Sequence, residues 1–168
     1  MDLKEALLKE HSLVQVTKIS VWAIESKANL KKLMQEFFGK DKIRVQRASW
    51  AASKAHDLKP EWFNIYQFQL ITCLEKPMHG SVRRNSLRMM QSMRIPEEYQ
   101  SQLIDTLFEL LSDPKEESAV KAFAMTVAFN IVQQHPEIGK ELKIIIEDQL
   151  PYATPSFKSR AKRIIKKL

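Results

Sequence analysis

Glycine is scarce in this chain, with three residues among 168. Loops that cradle phosphate or turn sharply beneath a nucleophile are built on closely spaced glycines, because only a residue without Cβ lets the backbone approach so near. No Gly-rich phosphate loop, Gly-x-Ser-x-Gly elbow or His-Glu-x-x-His helix occurs. The expectation is a non-enzymatic protein that needs no cofactor. Cysteine is scarcer still. Cys73 stands alone, which excludes a disulfide framework and a multi-cysteine zinc site, and among Leu70, Ile71 and Leu74 it reads as a small buried apolar residue. None of the four histidines, His11, His56, His79 and His135, pairs with another His or Cys at ligand spacing, so no metal is expected. Long apolar runs are missing too. The longest, 122–132, is interrupted by Thr126 and Asn130 and is far short of the roughly 20 residues of a membrane span. The opening Met1-Asp2-Leu3-Lys4-Glu5 lacks the apolar core of a signal peptide. A soluble, cytoplasmic protein with no membrane partner is the expectation.

What is present is helical periodicity. From Pro96 the apolar residues Leu103, Ile104, Leu107, Phe108 and Leu111 keep the i, i+3, i+4, i+7 spacing of an amphipathic helix. After a Ser112-Asp113-Pro114 turn, Val120, Phe123, Ala124, Val127, Ala128 and Ile131 do the same. The hairpin is repeated. Val45, Val82, Val120 and Phe157 follow one another at intervals of 37, 38 and 37 residues, each with a small residue four places on: Ser49, Ser86, Ala124 and Ala161. Pro77, Pro114 and Pro151 also lie 37 apart. A diverged copy around Val16, Ile19, Ser20, Ala23 and Ile24 precedes these. Helix pairs that recur at such a period cannot bury their apolar faces without neighbours, so they stack. The spacing predicts helices over 3–9, 12–25, 28–38, 42–55, 60–75, 79–94, 96–111, 115–134, 136–150 and 154–168, in one domain spanning 1–168. Gly39 reads as the stop after the third helix, Ser12 and Thr154 read as N-caps, and Pro60, Pro96 and Pro136, each followed by Glu, read as helix starts.

A Leu-rich helix, an Asp-Pro turn, and a helix that opens with Val-Lys and carries a small residue four places after the Val together resemble the HEAT repeat. The resemblance implies an all-α, right-handed α-solenoid of about four to five antiparallel helix pairs, with first helices on the convex side and second helices lining the concave one. It also implies that the residue after each Val anchor (Gln46, Arg83, Lys121, Lys158) can bridge to a turn Asp of a neighbouring repeat.

Charge separates by layer. The second helices, taken as 42–55, 79–94, 118–134 and 154–168, hold 15 Lys plus Arg and no Asp or Glu. The segments between them, 56–78, 95–117 and 135–153, hold 14 acidic residues against five basic. Two readings stand. In one, Arg47, Trp50, Arg83, Arg84, Arg88, Lys121, Lys158, Lys162 and Arg163 form a basic concave face that attracts an extended anion, since a single-sign groove focuses its potential. In the other, these side chains bridge repeats or form a solvated cap. A protein partner with an acidic segment is the first expectation, and nucleic acid the alternative. The basic second helices also resemble those of the DNA alkylation-repair glycosylases built from HEAT-like repeats. That family needs a carboxylate in its groove, and these second helices offer none. Exposed Trp50, Leu87 and Met125 would mark a protein groove, and arginines without acidic partners a phosphate groove.

Overall fold

The computed structural model describes all residues, 1–168, and contains only helices. They are α1 Leu3–Lys9, α2 Leu13–Ala23, α3 Lys27–Phe37, α4 Lys42–Leu58, α5 Gln67–Thr72, α6 Gly80–Met90, α7 Glu97–Ser112, α8 Ser118–Val132, α9 Gly139–Gln149 and α10 Pro155–Ile165. Short polar side chains fix several of their starts. The oxygens of Asp2, Ser12, Ser26, Asp41 and Thr154 accept from the amides of Glu5, Gln15, Asn29, Arg44 and Phe157, satisfying donors that a helix leaves unpaired at its first turn. Gly39 does follow α3, but without a left-handed cap, since no glycine has positive φ.

The chain divides into two compact units, Met1–Met89 and Met90–Leu168. In the first, α4 packs against α2 and α3. Ala48, Ala51, Ala52 and Ala55 are fully buried, so this helix brings little bulk to its contacts and its backbone can lie close to its neighbours. Ser20 Oγ donates across that gap to the Ala51 carbonyl at 2.9 Å. In the second unit α8 packs against α7, α9 and α10 around Leu103, Leu107, Val120, Val127, Leu142, Ile146 and Phe157.

One predicted helix is broken. Residues 60–75 form a 3₁₀ stretch Pro60–Tyr66, then α5, then a further 3₁₀ turn Cys73–Glu75. A 3₁₀ helix turns every three residues, so side chains at i and i+3 eclipse. Phe63 and Tyr66 accordingly lie over one another, ring centroids 6.3 Å apart, and Phe63 is the fully buried residue of the stretch. An α-helical period would instead put Trp62 and Tyr66 in the core; both are half-buried.

Acid is expected to weaken the first unit. His56 is 3% exposed, its Nε2 has no hydrogen-bond partner, and its ring meets that of Phe63 edge-on at 5.3 Å. Burial lowers its pKa below the ordinary 6.5, and Arg88 adds to this, while Asp57 opposes it. The folded state therefore binds fewer protons than the unfolded one. The stability this confers is complete above 6.5 and is lost as the pH falls below it. Trp22, Trp50 and Trp62 all lie in the first unit, so tryptophan fluorescence reports its unfolding. Its urea midpoint should drop between about pH 7.5 and about pH 5.5, and His56→Leu should reduce the drop. An equal drop in that variant would assign the acid sensitivity to other groups.

Candidate anion-binding surface

Most of the expected basic residues of the first unit have structural partners. Arg47 Nη1 donates at 2.7 Å to the carbonyl of Leu7, in the last turn of α1, where carbonyls lack an intrahelical donor. Arg88 forks onto Asp57, with contacts of 3.0 and 2.8 Å, and its Nη1 also reaches Ser53 Oγ at 2.6 Å and the Ser53 carbonyl at 3.2 Å. Asp57 falls outside the acid-free second helix of the sequence count because α4 continues to Leu58. Arg83 is half-buried and Arg84 exposed. Trp50 is half-buried, edge-on to His11 at 5.3 Å, and Leu87 is fully buried.

In the second unit Met125 is fully buried. Lys121 is buried as well, its Nζ 2.7 Å from Gln149 Oε1. Burial pushes its pKa down, against the opposing pull of Asp113 and Glu116. Lys158 is half-buried, whereas Lys162 and Arg163 are exposed.

Arg160 was not among the expected residues, yet three hydrogen bonds hold it. Its Nη1 lies 2.6 Å from Gln91 Oε1, 3.0 Å from the Ala122 carbonyl and 2.7 Å from Thr126 Oγ1, and its guanidinium stands 5.5 Å from the centre of the Phe123 ring. Burial, and then the neighbouring Arg163 charge, lowers its pKa from the usual arginine value. The signal that could have found it is positional. Arg160 precedes Ala161 at the edge of the Phe157, Ala161, Ile164 stripe, where a long cation can reach across to the preceding second helix.

Beside Arg160 runs a groove of about 370 Å³, lined by Gln91, Thr126, Phe129, Asn130, Arg160, Arg163, Ile164 and Lys167. Asn130 Nδ2 donates to the Gln91 carbonyl at 2.9 Å and so fixes one wall. Arg163 and Lys167, four residues apart, project on one face of the chain after Phe157. Both are exposed, and neither takes part in an ion pair or side-chain hydrogen bond. No carboxylate lines the groove. Chemically it offers two solvated cations, a third held rigid between them and the neighbouring helix, and a half-buried phenyl ring.

A sequence model of the HEAT repeat domain matches residues 3–168. The chain belongs to the HEAT repeat family. No curated protein and no solved structure matches it. HEAT repeats generally serve as scaffolds for protein interaction. The match is to the repeat alone and brings no glycosylase activity with it. No helix of this HEAT repeat protein is long and apolar enough to cross a membrane, and no three His, Cys, Asp or Glu side chains are grouped so as to hold a metal ion.

Proposed function

We propose that this HEAT repeat protein is a non-enzymatic interaction module, acting as one repeat domain over 1–168, whose basic second-helix layer takes up an acidic segment of a protein partner. The observation that carries this reading is the carboxylate-free groove of α8 and α10, with Arg163 and Lys167 unpaired. A groove of one sign raises the local concentration of an oppositely charged segment and speeds its capture. Phe129 adds an apolar contact that an acidic peptide with one large side chain can use. Leu87 and Met125 are buried and do not contribute, so the contact is narrower than a strip of exposed apolar anchors along every second helix. Nucleic acid is the second reading, favoured by the absence of acidic partners at Lys162, Arg163 and Lys167, as phosphate contacts require.

Fluorescence anisotropy decides between them. A labelled Glu-rich peptide carrying one Phe, and labelled single- and double-stranded DNA, are titrated at about 50 and about 200 mM salt, the range in which phosphate contacts weaken most. The peptide should bind, and Arg163→Glu with Lys167→Glu should weaken it by roughly tenfold or more, while Lys140→Glu on α9 changes little. DNA bound more tightly than peptide would replace the protein reading with the nucleic-acid one. No binding of either at the lower salt would leave the basic layer a structural feature only.

A further inference from the structure

At the turn end of the second unit lies a cleft of about 360 Å³, distinct from the basic groove and opposite to it in character. The turn after α7 and the start of α8 form one side, and the end of α9 with residues 150–154 and Phe157 the other. Lys121 is built into it. This side chain is 8% exposed, and its one hydrogen bond goes to a neutral acceptor, Gln149 Oε1. An ammonium has three donors, so two of them have no protein partner, and Lys121 lines the cleft. The neighbouring-repeat acid expected opposite this position is not within hydrogen-bond reach; Asp113 and Glu116 act on Lys121 only through space. A buried cation held by a single neutral oxygen is incompletely compensated, and a carboxylate entering the cleft would supply what is missing.

The lining narrows the ligand further. Glu116 and Asp148 also border the cleft, which disfavours a phosphate or a dicarboxylate, since either would bring a second negative charge against them. Asp148, exposed at the edge of the cleft, suits a positive group carried by the same molecule. Pro114, Ala153, Tyr152 and Phe157 provide apolar wall, and Tyr152 is 92% exposed at the rim, free to be covered by a bound side chain. The volume is at the small end of the roughly 300–1,000 Å³ of ligand pockets. We propose that this cleft binds a free α-amino acid with an apolar side chain, its carboxylate on Lys121, its ammonium toward Asp148, and its side chain against Phe157 and Tyr152.

The test is an NMR titration of the full ¹⁵N-labelled chain with leucine, leucinamide and isocaproate, the last two lacking the carboxylate and the amine respectively. Leucine should shift the amides of Lys121, Tyr152 and Thr154 saturably, and each analogue should bind roughly tenfold more weakly or not at all. Lys121→Met and Asp148→Asn should each weaken leucine by a similar factor. Asp148 is exposed, so its variant keeps the test decisive if Lys121→Met folds poorly. Leucinamide binding as well as leucine would overturn the role of Lys121, and isocaproate binding as well would overturn the assignment to an amino acid. Absence of saturable shifts with leucine and with other apolar amino acids would overturn the site itself.

Discussion

Phe63→Ala is expected to lower the stability of the first unit by about 3–5 kcal/mol, the usual cost of emptying a buried phenyl position. Phe63 is fully buried, and two aromatic partners depend on it: His56 at 5.3 Å and Tyr66 at 6.3 Å. Its position on a 3₁₀ stretch raises the consequence. That stretch begins at Pro60 with no side-chain cap from Lys59 before it, and Ile65 within it and Phe68 just after it remain 76% and 55% exposed, so Phe63 is its main apolar anchor. Urea unfolding followed by tryptophan fluorescence measures the loss. Trp62 lies on the same stretch, so its emission should shift toward that of exposed indole in the folded variant too. Phe63→Leu keeps most of the volume and should cost under about half as much. A loss below about 1 kcal/mol for the alanine variant would show that the stretch is not held by this side chain.

How much of this was legible in the sequence depends on which force set each feature. The helix pairs were, because Val45, Val82, Val120 and Phe157, and the small residues four places after them, are core positions, and burial writes itself into a sequence as periodicity. All eight of these residues are buried. Ser12 and Thr154 were legible as caps for the same kind of reason: a short oxygen before an apolar run has one common use. The break at 60–75 was not. Trp62 and Tyr66 fit an α-helical face, and nothing local distinguishes that face from the 3₁₀ one; the choice is made by the pocket that receives Phe63.

The basic layer was legible as composition but not as a site. A count of charges cannot tell a guanidinium in solvent from one spent on a neighbouring helix. Arg47 and Arg88 have the same composition signal as Arg163, yet the first two hold Leu7, Ser53 and Asp57 while Arg163 is unpaired. Long-range partners decide the matter, and the distance between them in sequence, 40 residues for Arg47 and 31 for Arg88 with Asp57, puts them beyond any local pattern.

Arg160→Met is expected to cost the second unit roughly 2–3 kcal/mol. Methionine keeps much of the stem's packing but removes the donor that serves Gln91, the Ala122 carbonyl and Thr126 together. Thr126 retains its own bond to the Ala122 carbonyl at 3.3 Å, which limits the loss. Lysine is no substitute, because a point ammonium on a flexible stem does not reproduce the fixed fork of a guanidinium, so Arg160→Lys should recover only part of the deficit. Hydrogen exchange resolved to peptides of α8 and α10 is the measurement, since the unit has no tryptophan. The same variant separates scaffold from contact in the groove. If Arg160 is what aligns α10 against α8, its removal should weaken both protection and anion binding, whereas Arg163→Glu should weaken binding and leave exchange unchanged. Protection unaltered in Arg160→Met would mean that the fork is not what seats the helix, and any loss of binding would then come from the charge alone.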